Sequence, residues 1–223
     1  MTHNILIAGD SWGRGEWNKK LEVTHYGLEQ YLNDSKNNVK NISKAGGSLE
    51  EILENIKKEN LDFYDFVFVF VTCTNRSVTN KYTQQENFFN LTPFCKQTII
   101  QRHNDILNIF FTKLNNLDKK IYLLGGLSNI PVINYDNLYV AIPSILKLLL
   151  PNVANEYEFF FHLGNKYPLT VDKETVNWMW KQNKIWESIQ ASDYFKEDGY
   201  HPNRDAHRII YKYLKENIID KDK

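Results

Sequence analysis

The sequence predicts an α/β fold, a three-layer α/β/α sandwich around a central parallel sheet. Three observations carry that expectation. Apolar, β-prone runs at 4–8, 65–72 and 120–126 are nearly uninterrupted, which fits strands buried on both faces. Segments with helical apolar spacing lie between them, and right-handed crossovers turn such an order into a parallel sheet. With 223 residues, 42% hydrophobic and 24% charged, the chain is long enough to cover both sides of that sheet.

NILIA (4–8) is the first strand, short, apolar and ended by Gly9. A polar, glycine-containing loop follows, then a helix near Thr24–Leu32. VKNIS (39–43) reads as the second strand, running out at Gly46-Gly47. Ser48 with Glu51 three residues later is a capping-box pattern, so a helix is expected from there to about Asn60. DFVFVFVT (65–72) is the strongest strand signal and belongs in the middle of the sheet. The polar stretch 74–93 reads as a loop. Over 95–117, Ile99, Ile100, Ile106, Leu107, Phe110, Phe111 and Leu114 keep helical spacing. KIYLLGG (120–126) is a fourth strand, and Ala206, Ile209, Ile210, Tyr213 and Leu214 mark a last amphipathic helix from near Asn203.

Residues 127–195 break this rhythm. SILKLLL and KETVNWMWKQNKIWESI look helical, and YEFFFHL suits either a strand or a buried helix. The segment is expected to be a helical insertion, a lid or pocket wall, within a single domain spanning 1–223. Its Trp178, Trp180 and Trp186 read as packing residues.

Composition excludes several classes. The 27 basic and 27 acidic residues cancel, leaving no footprint for nucleic acid. No run of 18 apolar residues would span a membrane. Two cysteines, Cys73 and Cys95, make no disulfide framework, and no Cys/His cluster has metal spacing. No metal and no cofactor are expected. MTHNILIAGDSW enters the first strand at once, without the basic and apolar regions of a signal peptide. A soluble, cytoplasmic protein is the expectation.

In open α/β sheets, ligands collect beyond the carboxyl ends of the strands. Three loops stand there: Gly9-Asp10-Ser11, Ala45-Gly46-Gly47 and Cys73-Thr74-Asn75. Near the end of the chain, EDGYHPNRDAHRII puts Asp198 three residues before His201. A serine nucleophile needs a base within reach and an acid to orient that base. Ser11, His201 and Asp198 supply the three if the last loop folds over the first. Residues 9–13 also spell G-x-S-x-G, but the α/β-hydrolase elbow follows several strands and keeps its acid and histidine on separate loops. The glycines of GDSWGRG likewise miss the dinucleotide spacing.

The ordered set IAGDSWGRG, NISKAGGS, VTCTNRS and EDGYHPNRDAHRII resembles the four blocks of the SGNH, or GDSL, hydrolase family of esterases and lipases. The resemblance covers about 4–126 and 193–218 and implies a flavodoxin-like sandwich. It implies Ser11 as nucleophile, His201 as general base and Asp198 as its orienter. The oxyanion donors it implies are the backbone N–H groups of Ser11 and Gly46 and the side-chain amide of Asn75. Two positions depart from the family pattern: Thr74 stands where a glycine is usual and Arg76 where an aspartate is frequent. Trp12, beside Ser11, and Arg76 are expected at the substrate pocket, the arginine suiting an anionic or heavily oxygenated ligand. The implied substrate is a carboxylic ester: a carbohydrate O-acetyl group, a lipid or a thioester. A binding module that kept the fold and weakened the catalysis, and an acyltransferase using the same triad, are the alternatives.

Overall fold

A computed structural model describes residues 2–71, 74, 96–126, 129–154, 173–195 and 201–221. Strand β1 (Asn4–Ala8) runs into a one-turn helix α1 (Ser11–Arg14) and a small hairpin of β2 (Glu16–Trp17) and β3 (Val23–His25). Helix α2 (Gly27–Asp34), strand β4 (Asn38–Asn41), helix α3 (Leu49–Lys57) and strand β5 (Phe66–Val71) follow. Then come α4 (Lys96–Asn115), β6 (Ile121–Gly125), β7 (Leu138–Ile142), α5 (Ile145–Leu149), α6 (Pro151–Ala154), α7 (Lys173–Ala191) and α8 (Arg204–Asn217).

Five strands form one parallel sheet in the order β4-β1-β5-β6-β7. Counted along the chain, that is second, first, third, fourth and fifth, the flavodoxin-like order. The direction of winding reverses between β1 and β5, and a crevice opens at such a point beyond the strand ends. Ser11 follows β1 and Thr74 follows β5, so topology alone brings those two loops together.

The FVFVFV run shows how the sheet is covered. Side chains alternate across a strand, so Phe66, Phe68 and Phe70 enter one core while Val67, Val69 and Val71 enter the other. The phenylalanine side also holds Ile5 and Ile7, with Leu28 and Leu32 of α2, Leu146 of α5 and Ile210 and Leu214 of α8. The valine side holds Leu6 and Ala8, with Ile52 and Ile56 of α3 and Leu107, Phe111 and Leu114 of α4. This is the expected three-layer sandwich.

Local signals hold at several boundaries. Ser48 accepts from the Glu51 N–H at 3.2 Å while the Glu51 carboxylate accepts from the Ser48 N–H at 3.0 Å, the reciprocal pair anticipated there. Asn203 caps α8 by accepting from the Ala206 N–H at 3.1 Å.

Two expectations need correction. The segment between Arg14 and Gly27 is a hairpin, not a plain loop, so α2 begins at Gly27 rather than near Thr24. Part of 127–195, expected as a helical insertion, is sandwich: β7 pairs with β6, and Ile142, Ile145 and Leu146 lie in the phenylalanine-side core. As an edge strand with one neighbour, β7 is only half covered, which hid it from a search for continuous apolar runs. SILKLLL and KETVNWMWKQNKIWESI are helical as expected, in α5 and α7. The 74–93 loop, apart from Thr74, and YEFFFHL lie outside the described residues. Among the described residues, no helix is long and apolar enough to cross a membrane.

Candidate active site

The chain leaves β1 through Gly9 and turns at Asp10, whose carboxylate accepts from the Trp12 N–H at 3.0 Å and caps α1. Asp10 is thus spent on the turn, a role that short acidic side chains fill at helix starts. Ser11 is the first residue of α1 and is buried, with its hydroxyl held at the sheet's carboxyl edge. Its amide, at the start of a helix, has no carbonyl one turn back to bond.

The second loop is fastened to the first. Lys44 donates its N–H to the Gly9 carbonyl at 3.0 Å, and the Gly47 N–H closes a turn on the Lys44 carbonyl at 3.0 Å. Gly46, between them, is exposed at φ +69°, with open space where a side chain would project.

His201 arrives from the far end of the sequence. The residues after it are pinned to the one-turn helix Asp193–Phe195: the Asn203 N–H donates to the Tyr194 carbonyl at 2.8 Å, and its side-chain amide to the Asp193 carbonyl at 2.6 Å. Its Nε2 lies 2.8 Å from Ser11 Oγ, across 190 positions of sequence. That is the reach a base needs to take a hydroxyl proton.

The other expected site residues fall differently. Trp12 is 7% exposed and packs on Phe195 with ring centroids 5.6 Å apart, within the phenylalanine-side core. Its ring helps seat the His201 turn through Phe195. Asp198, Asn75 and Arg76 lie outside the described residues. Thr74, the departure from glycine, is buried and shares a 2.9 Å hydrogen bond between its Oγ1 and His103 Nδ1 of α4, so a polar side chain is accommodated there with a partner.

Sequence reasoning missed the dipeptide Glu16-Trp17. Trp17 donates its indole N–H to the Ser11 carbonyl at 3.0 Å, and its ring lies 5.4 Å from the His201 ring at 34°. The buried Glu16 carboxylate accepts from Arg204 Nε at 2.9 Å. The one available signal was position, five and six residues beyond Ser11.

Behind the pair, His207 of α8 is fully buried, and burial pushes its pKa down to about 3, with nearby His25 and His201 acting in the same direction. His103 is also pushed down, to about 4, by burial. An unfolded histidine binds a proton below about 6.5, while these folded ones stay neutral well below that. Both therefore favour the folded state fully above pH 6.5, and this stability drains away as pH falls towards 3. The urea midpoint is expected to drop between pH 7 and pH 4.5, and His207→Leu to make that drop smaller. An equal drop in the variant would remove His207 from the account.

No family model matches the chain, and no curated protein matches it. Among solved structures, it is similar to the psychrotrophic esterase EstA from Pseudoalteromonas sp., with 13% identity over 98% of both chains and a TM-score of 0.45. It is also similar to a lipase/acylhydrolase from Enterococcus faecalis, with 12% identity over 99% of this chain and 97% of that one, at a TM-score of 0.43. A Clostridium thermocellum family 3 carbohydrate esterase gives 11% identity over 99% of both chains and a TM-score of 0.44.

Proposed function

We propose that the protein is a serine-dependent ester hydrolase acting through an acyl-enzyme. The observation that carries this reading is the 2.8 Å contact between Ser11 Oγ and His201 Nε2. As Oγ attacks the ester carbonyl, Nε2 takes its proton, and the tetrahedral oxyanion is held by fixed N–H donors. Collapse expels the alcohol, which receives the proton from Nε2, and water repeats the sequence on the acyl-serine. Asp198 orients the imidazole in this reading.

The oxyanion donors are the N–H groups of Ser11 and Gly46 and the Asn75 amide. Between the adjacent glycines, the Gly47 N–H is committed to the Lys44 carbonyl, which favours Gly46. The fastening of Lys44 to Gly9 supports a place for that loop beside the nucleophile. The substrate class is a carboxylic ester, from a carbohydrate O-acetyl, a lipid or a thioester. Arg76 would favour an anionic or oxygen-rich one. The contact between serine and histidine speaks for catalysis over a binding module.

The test is covalent. A fluorophosphonate probe is expected to add one phosphonyl group to the Ser11 peptide, read by mass spectrometry, and to leave Ser11→Ala unmodified. Labelling elsewhere, with Ser11 untouched, would sink the mechanism.

A further inference from the structure

The hairpin of β2 and β3 touches both partners of the serine–histidine pair through Trp17, and the start of α8 just beyond His201 through Glu16. Trp17 holds the Ser11 carbonyl with its indole N–H at 3.0 Å and lays its ring beside the His201 ring, 5.4 Å away at 34°. Glu16, buried, receives Arg204 Nε at 2.9 Å, three residues after His201. The strand is itself fixed by its pairing, Glu16 opposite His25 and Trp17 opposite Val23. One short element thus joins residue 11 to residues 201 and 204.

Resting on the ester-hydrolase reading, we propose that Trp17 is a positioning residue for the His201 imidazole. It sets the plane of the ring while the chain beyond it is held through Arg204. An imidazole on a turn has rotamers that carry Nε2 away from Oγ, and a flat aromatic wall removes part of that freedom. The geometry also favours the charged state of the reaction. When Nε2 accepts the serine proton, the imidazole becomes a cation, and an aromatic π system whose centroid lies 5.4 Å from it attracts a cation more than a neutral ring. The attraction therefore grows along the reaction coordinate, which is the condition for lowering the barrier rather than tightening substrate binding.

The indole N–H has a separate task. By binding the Ser11 carbonyl it fixes the first turn of α1, and so the direction of the Ser11 hydroxyl. The two tasks separate by substitution: Trp17→Phe keeps an aromatic face and loses the N–H, while Trp17→Leu loses both.

The experiment measures the fluorophosphonate labelling rate at Ser11, which needs no known substrate, and kcat and KM on a short-chain nitrophenyl ester. Trp17→Leu is expected to lower kcat and the labelling rate about 10-fold, since misplacing a reacting group by 1 Å costs up to 10²-fold. KM should stay within about 2-fold, because the interaction is strengthened in the transition state rather than in substrate binding. Trp17→Phe should recover most of the loss. Melting curves confirm that each variant is folded, and Trp17→Met replaces Trp17→Leu should the latter not fold. A Trp17→Leu or Trp17→Met protein with unchanged kcat and labelling overturns the proposal. So does an effect confined to KM, or equal losses in Trp17→Phe and the aliphatic variant. Wild-type protein that labels somewhere other than Ser11 fails the hydrolase reading instead.

Discussion

Ser11→Ala is expected to lower kcat on a short-chain nitrophenyl ester by about 10⁶, the loss found when a triad serine or histidine is removed. His201→Ala should lose a similar factor, and the double variant should be no worse than either single one. The reason is that, in the proposed mechanism, the two side chains make one device. A hydroxyl without a base 2.8 Å away is a poor nucleophile at neutral pH, and a base without the hydroxyl has no proton to take. The activity left would come from whatever holds the substrate and its oxyanion. Steady-state kinetics on the three variants decide the matter. Additive losses, or a double variant far below the singles, would mean that Ser11 and His201 act separately.

Gly15→Ala is expected to destabilise the fold by about 3 kcal/mol or more, because two costs combine at one position. The backbone there sits at φ +133° and ψ −158°, a region that side chains rarely enter. An alanine Cβ would also overlap the His25 carbonyl oxygen and come within 3.0 Å of Tyr26 Cα, both backbone atoms that cannot rotate away. The hairpin would have to part from α1. A urea titration reads the loss, and labelling of Ser11 in the folded fraction should fall with it, since Trp17 moves with the strand. Gly46→Ala is the control. Its backbone is left-handed too, but the space around it is open, so only about 1 kcal/mol is at stake. Equal destabilisation by the two substitutions would contradict the clash at Gly15.

The sheet was legible wherever a strand is covered on both sides. Phe66–Val71 and Ile121–Gly125 carry their whole signal in their own residues, because every position is buried. β7 was not legible for the opposite reason: Tyr139 is exposed at the edge, and the described part of the connection from β6 holds no helix to mark a crossover. The hairpin escaped for a third reason. β2 is two residues long and its register shifts between Glu16 and Trp17, so no period develops. Its turn is built by the Asn18 side chain, which accepts from the Lys20 and Glu22 N–H groups at 2.8 and 3.0 Å. An Asn-Gly pair would have announced it.

The candidate site divides along the same line. The nearness of Ser11 and His201 was implied by the resemblance of the ordered motifs, on the condition that the last loop folds over the first, which the 2.8 Å contact meets. Trp17 and Glu16 carry no motif; their relevance comes from folding back across the site, which spacing does not encode. Thr74 is a middle case. Its departure from glycine was visible, but its partner His103 lies on another element and came from packing alone.

The 190 positions that separate Ser11 from His201 have a consequence for synthesis. A nascent chain that has not yet reached His201 carries Ser11 without that partner, and a sheet whose phenylalanine face lacks α8. The last helix brings Ile210 and Leu214 to that face in the same stroke that brings His201 to Ser11. Completion of that face of the core and the meeting of Ser11 with His201 are thus one event.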